Sequence, residues 1–156
     1  MGTLNSKMCD VHAPVPSSCQ SGEIRAVTGF IDLAVDKGGD LEVDDILNLC
    51  PCPAQHVPVD ALVWWDDLGD TGAGSIGLTE DGIEEGEDED SMIAAASVDL
   101  SGAGMARLAL PTGLLHEPVN YLRKFGMKVT EVTTAGAGKI YMTLFYRAAQ
   151  SYQEVS

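Results

Sequence analysis

KIYMTLFY, residues Lys139 to Tyr146, is the stretch of sequence that decides the fold class. Its side chains alternate, and in an extended strand successive side chains point to opposite faces. One face carries Ile140, Met142, Leu144 and Tyr146, and the other carries Tyr141, Thr143 and Phe145. Because both faces are apolar or aromatic, the stretch predicts a central β-strand that is covered on both sides.

Period-two alternation recurs in four other segments, which are Glu23 to Val35, Val57 to Asp67, Ser75 to Thr79 and Tyr121 to Thr134. Pro58 places the second of these at a sheet edge or at the start of its strand. Gly-rich turns separate the segments, and helical patterns do not alternate with them. The sequence therefore predicts an all-β, jelly-roll-like antiparallel β-sandwich.

Three regions have a less decisive pattern. Leu41 to Leu49 favours a short turn or helix, which must end at Cys50-Pro51-Cys52-Pro53 because the residue before a proline is forced towards an extended conformation. Asp81 to Asp90 carries most of the local charge and is predicted to be a loop. The apolar pieces 92–100 and 105–110 fit no single period, so their pattern assigns no element.

The pattern divides the chain into an arm, a domain and a tail. Residues 1–22 contain Pro14, Pro16 and no periodicity, and predict an extended N-terminal arm without a core of its own. Residues 23–150 form the predicted sandwich, and residues 151–156 form a C-terminal tail. The N-terminal segment has no apolar stretch typical of a secretory signal. No run reaches the roughly 20 apolar residues that a membrane-spanning helix needs.

The charge limits the classes of partner. The chain has 24 acidic and 9 basic residues and a net charge of −15. Such a chain repels phosphate backbones and anionic lipids, so we expect neither nucleic acid nor membrane as a partner. With no secretory signal, the thiols of Cys9, Cys19, Cys50 and Cys52 are expected to be reduced.

Several motifs suggest chemistry that their context does not favour. Gly72 to Gly77 matches G-x-G-x-x-G, but carboxylates flank it and no helix follows, so a hairpin turn fits better. Cys50, Cys52 and His56 lack a second cysteine pair for zinc, and we expect free thiols. The acidic stretch does not follow the EF-hand order, and a solvated loop is favoured over a calcium site. No Ser lies in G-x-S-x-G, and we expect no catalytic residue, metal or cofactor.

Interface candidates stand out more clearly than catalytic ones. Trp64 and Trp65 are neighbours in a predicted strand, so one should be a core residue and the other should face solvent or a partner. An exposed Trp is a typical anchor of a protein interface, although stacked aromatic rings can also bind sugars. Val11, Pro14 and Pro16 are the candidate contact residues of the arm.

The order of these segments resembles that of the capsid decoration, or cement, proteins of tailed bacteriophages, which have a jelly-roll-like sandwich. The resemblance covers roughly residues 23–147 and is carried by GEIRAVTGFIDLA, DILNLCPCPAQHVPVDALVWWDDLG, SIGLTED and FGMKVTEVTTAGAGKIYMTLFYR. The chain departs from the family at Cys50 and Cys52, at the acidic stretch and in the arm.

The resemblance implies a virion structural protein that is often trimeric. It would bind the major capsid protein on the outer surface of an icosahedral shell, assembled in the host cytoplasm. The acidity agrees with an outward-facing surface that keeps coated particles apart. A calcium- or carbohydrate-binding sandwich, another virion part such as a fibre base, and a small metal-dependent enzyme using Cys50, Cys52 and His56 remain the alternatives.

Overall fold

The computed structural model describes residues 2–9, 23–81, 84–94 and 97–149 of the chain. Within these ranges the fold is built from β-strands, with one short helix, α1 (Leu33–Asp36), and 3₁₀ turns at Lys7–Cys9 and Pro111–Leu114. The strands are β1 (Thr3–Asn5), β2 (Ile24–Asp32), β3 (Ile46–Cys52), β4 (His56–Trp65), β5 (Ala73–Asp81), β6 (Glu84–Ile93), β7 (Gly104–Arg107), β8 (Arg123–Glu131) and β9 (Lys139–Ala148).

The strands form two sheets in the orders β1-β3-β8-β5-β6 and β2-β9-β4-β7. Four antiparallel pairs are nested, because β2 pairs with β9, β3 with β8, β4 with β7 and β5 with β6. Rolling this long nested hairpin adds the pairs β4–β9 and β5–β8. The result is the strand order of a jelly roll, and the predicted all-β sandwich is confirmed.

The core lies between the two sheets. The apolar side chains predicted to face inward from β9 and β5 are buried there, as are those of β8. The largest fully buried side chains are those of Tyr146, Phe125, Ile31, Leu33, Leu41, Ile46, Leu47, Leu49, Leu68, Ile76, Met92 and Ile93. Strand β9 lies between β2 and β4, so the prediction of a central strand is confirmed.

The prediction of a short turn or helix at Leu41 to Leu49 is wrong from Ile46 onward, where strand β3 begins. All seven residues of β3 are buried, and a continuous apolar strand cannot be distinguished from a buried helix by periodicity alone. Cys50, Pro51 and Cys52 belong to this strand and pair with β8. Proline is tolerated because β1 pairs only with Ile46 to Asn48, so no strand among the described residues pairs with Pro51 on its other side.

The acidic stretch and the end of strand β2, which the sequence predicts to reach Val35, also differ from the prediction. Residues 84–90 do not form a loop, because they belong to β6 at the edge of its sheet. Charged residues are common on edge strands, where they oppose pairing with other chains. Strand β2 ends at Asp32, whose carboxylate accepts a hydrogen bond from the Ala34 N–H at 3.2 Å and caps α1. Val35 is consequently exposed instead of facing inward.

Gly72 directly precedes β5, and residues 73–77 of the motif are the first part of that strand, so the predicted hairpin turn is wrong. The preceding strand β4 belongs to the other sheet. Gly72 has a φ of 139°, which favours glycine. A Cβ on Gly77 would lie 2.2 Å from the carbonyl oxygen of Asp88. These glycines therefore serve a turn and a close approach between strands, and the motif lacks the helix N-terminus that a dinucleotide loop needs.

The first residues of the predicted arm lie against the sandwich. Strand β1 pairs in parallel with β3, and the Ser6 N–H donates to the Asn48 carbonyl oxygen at 2.7 Å. The side chain of Cys9 is buried. In the described part of the chain no helix is long and apolar enough to cross a membrane.

Asp45 joins this N-terminal segment to the sheet. Its buried carboxylate accepts hydrogen bonds from the Gly2 N–H at 2.8 Å and the Glu42 N–H at 2.9 Å, and it pairs with Lys37. Burial alone would raise the pKa of Asp45, but the hydrogen bonds from Lys37, Glu42 and Gly2 outweigh it and hold the pKa below its ordinary value.

We expect Asp45→Asn to lower the free energy of unfolding by about 2 kcal/mol at pH 7, because Lys37 loses its charged partner. A lowered carboxyl pKa stabilises the fold above the unfolded value of about 4, and this stabilisation is lost as the pH falls through the folded value. Urea unfolding at pH 7 and pH 3 should therefore show a larger difference between wild type and variant at pH 7 than at pH 3. Asp40→Asn, at an exposed position, is the control. An equal loss at both pH values would contradict the role of the charge.

Candidate interaction surface

The outer face of the β2-β9-β4-β7 sheet carries a row of large side chains. Phe30 pairs with Tyr141, Tyr141 with Trp64, and Trp64 with Met105, so the row crosses all four strands. Phe30 is 40% exposed and Met105 is 69% exposed. Because side chains directly opposite each other on one face are in contact distance, the strand register alone brings these four residues together.

The rings of this row stack on each other. Trp64 and Tyr141 have ring centroids 5.2 Å apart and an interplanar angle of 4°, and Phe30 lies 5.6 Å from Tyr141 at 32°. The Lys139 Nζ lies 5.9 Å from the centroid of the Phe30 ring. Parallel rings at this spacing stand beside each other with their faces in contact. Trp64 and Tyr141 therefore each cover one face of the other ring.

A second row of outward side chains lies two residues along the strands from the aromatic one. It is formed by Thr28, Thr143 and Leu62, and the two threonine Oγ1 atoms are 2.7 Å apart. Beyond it Phe145 is half-buried and Ala26 is exposed. We call this surface the aromatic face and define it by Ala26, Thr28, Phe30, Leu62, Trp64, Met105, Tyr141, Thr143 and Phe145.

Two ion pairs lie at the margin of the aromatic face. Lys139 Nζ lies 3.6 Å from Asp32 Oδ2, and the Arg107 Nε donates to Asp60 Oδ2 at 2.9 Å. The hydrogen bond from Arg107 holds the pKa of Asp60 below its ordinary value, against the opposing effect of burial. An apolar centre with a polar margin is the usual composition of a protein–protein interface.

The two adjacent tryptophans divide as the alternation predicts. Trp65 is only 5% exposed, and its indole N–H lies 2.9 Å from both the Asp99 and the Gly102 carbonyl oxygens. Trp65 is therefore a core residue, not the interface anchor that it could have been, and the interface hypothesis passes to Trp64. The other candidates, Val11, Pro14 and Pro16, lie outside the described residues.

The described residues bury one face of strand β9 and leave its other face partly exposed. Its inward side chains are buried, whereas Tyr141, Thr143 and Phe145 are half-buried on the aromatic face. The prediction that β9 is covered on both sides is thus not met within one chain. Its alternation nevertheless contained the signal for this surface, since Tyr141, Phe30 and Trp64 occupy outward positions of three alternating segments.

The cysteines are enclosed as thiols. Cys50 Sγ lies 3.2 Å from the Met142 carbonyl oxygen, and Cys52 Sγ lies 3.7 Å from that of His56. Burial raises the pKa of Cys9 and Cys50 to about 12 and that of Cys52 to about 11. No three His, Cys, Asp or Glu side chains converge as a metal site within the described ranges. Cys19 lies outside them.

A serine and a histidine are in contact at one end of the sandwich. Ser91 Oγ lies 3.1 Å from His116 Nε2, and the Thr112 hydroxyl donates to the Ser91 carbonyl oxygen at 2.6 Å. Ser91 is buried, and burial lowers the pKa of His116. A nucleophilic hydroxyl must be reachable by its substrate, whereas this one is enclosed. The contacts hold the segment around the Pro111–Leu114 turn against β6.

Comparisons with known proteins show the fold. The chain is similar to a chain in the capsid of Ralstonia phage GP4, with a TM-score of 0.80 and 23% identity over 96% of this chain and 99% of that one. It is also similar to a chain in the capsid asymmetric unit of cyanophage Pam1, with a TM-score of 0.62 and 16% identity over 88% and 93%. No protein-family model and no curated protein matches the sequence.

We expect Trp65→Ala to lower the free energy of unfolding much more than Trp64→Ala does. Trp65→Ala removes a buried ring and should lower the free energy of unfolding by about 3–5 kcal/mol. Trp64→Ala removes a stacking partner of Tyr141 and should cost about 1 kcal/mol. Urea unfolding followed by circular dichroism measures both. Equal losses would show that Trp64 supports the core as much as Trp65 does.

We also expect Cys9, Cys50 and Cys52 to resist a thiol-specific disulfide reagent at pH 8, because the raised pKa values leave almost no thiolate. The measurement uses a Cys19→Ser background, so that only these three thiols are counted. All three should react at once in urea. Rapid stoichiometric reaction of the folded protein would contradict their enclosure.

Proposed function

We propose that this protein is a structural component of a bacteriophage virion that decorates the outer surface of an icosahedral capsid and stabilises it. Its partner would be the major capsid protein, with the chain present as a trimer. The observation that carries the proposal is the likeness to the chain in the Ralstonia phage GP4 capsid, which covers both chains almost completely. The two chains therefore share one fold over nearly their whole length.

The distribution of chemistry in the chain supports a structural role. The thiols of Cys9, Cys50 and Cys52 and the Ser91 hydroxyl are enclosed, whereas the aromatic face is half-exposed and has the composition of an interface. A net charge of −15 opposes contact with the genome and favours repulsion between coated particles. These features together favour a protein that acts through contacts with other proteins instead of catalysis.

The test uses capsids assembled without this chain, to which the purified protein is added back. We expect the protein to co-sediment with the capsids up to a saturating ratio and to raise the temperature at which they release DNA, measured with a DNA-binding dye. An acidic protein of similar size and net charge but unrelated fold is the control for charge. Protein that stays in the supernatant at every concentration would contradict the proposal.

The proposed trimer is tested separately by sedimentation equilibrium of the free protein. The expected mass is three times the chain mass of 16.5 kDa. A monomeric mass over the whole concentration range would remove the trimer from the proposal and leave the capsid-binding test unaffected.

A further inference from the structure

We propose that the aromatic face is the surface that contacts the shell protein, so that the β1-β3-β8-β5-β6 sheet faces outward. The inference rests on the proposed function and assigns an orientation to it. It follows from a difference between the two outer surfaces of the sandwich, since one is aromatic and the other is rich in carboxylates.

The outward sheet is the acidic one. Its edge strand β6 contains Glu84, Glu85, Glu87, Asp88, Glu89 and Asp90 within seven consecutive residues. Lys128 on β8 lies 3.2 Å from Glu89 and 3.5 Å from Asp44. The ion pairs of the aromatic face, in contrast, join one acid to one base each. The longest run of carboxylates in the chain therefore lies on the sheet opposite the aromatic face.

The chemistry of the partner follows from this arrangement. Asp60 and Asp32 at the margin of the aromatic face are already paired with Arg107 and Lys139, so the centre of the face would contact a partner through shape and apolar packing. The acidic remainder of the chain repels an acidic partner and attracts a basic one. The occupant is thus a shell protein surface that is apolar at its centre and neutral or basic around it.

The charge of the chain argues against a second copy packed on this face. The face spans four strands about 4.8 Å apart and about five residues that rise about 3.3 Å each, which gives a flat area of about 300 Å². Stable pairs bury about 800 Å² on each partner, so this face alone is smaller than a standard interface with any partner. Two copies packed face to face would in addition bring together two chains of net charge −15. A shell subunit that is not acidic adds no such repulsion.

Single cysteines in the Cys19→Ser background test the orientation. Ala26 lies on the aromatic face and Thr130 lies on β8 of the acidic sheet, and both are exposed. We expect a maleimide to label Ala26→Cys and Thr130→Cys equally in the free protein. After binding to capsids assembled without this chain, Ala26→Cys should be protected and Thr130→Cys should remain reactive. The buried native thiols give no background under these conditions.

Binding affinity gives a second readout. Trp64→Ala should weaken binding to these capsids at least about tenfold, as for an interface anchor. Val35→Ala is the matched control, because Val35 is exposed and belongs to α1, outside the aromatic face. Its affinity should equal that of the parent protein.

The remaining outcomes separate the inference from the function. Equal labelling of both cysteines on bound protein would overturn the orientation while capsid binding stands. Protection of Ala26→Cys in the free protein would show that a second copy covers the face, and would overturn the choice of occupant. Failure of every variant and of the parent protein to bind capsids would overturn the proposed function and the inference together.

Discussion

The simultaneous pairing of β9 with β2 and β4 is the interaction on which the rest of the structure depends. It closes the nested hairpin into a roll, because β2 and β4 would otherwise be joined only through the chain between them. The same pairing fixes the register of three strands over most of their length. A shift by one residue would exchange the inward Ile140 and Met142 with the outward Tyr141 and Thr143. Burial in the core therefore determines which side chains form the outer face.

The outer surfaces are consequences of this register. The inward residues of β9 bury apolar surface between the sheets, and the outward residues of the same strand bring Phe30, Tyr141 and Trp64 into one row. Stacking restricts each ring, so that little side-chain freedom remains to be lost on binding. The acidic residues of β6 lie at the edge of the other sheet, where charge also opposes unwanted strand pairing. One sandwich thus separates an apolar surface from a strongly charged one.

The sequence predicts those parts of this arrangement that depend on local patterns. Alternation is enough to locate β9, β4 and β5, and to separate the environments of Trp64 and Trp65. It fails for β3, where burial on both faces removes the alternation, and for β6, where six carboxylates suit a solvated loop as well as an edge strand. Alternation places Phe30, Trp64 and Tyr141 at outward positions of three separate segments, but only the cross-strand register brings them into one row.

The half-exposed rings form an apolar face on a strongly acidic chain. An exposed apolar surface favours non-specific association, which net charge opposes. With a net charge of −15 and six carboxylates on the edge strand β6 of the other sheet, the chain opposes non-specific association while the aromatic face stays exposed. A partner that is not acidic would meet no such repulsion when it approaches the aromatic face.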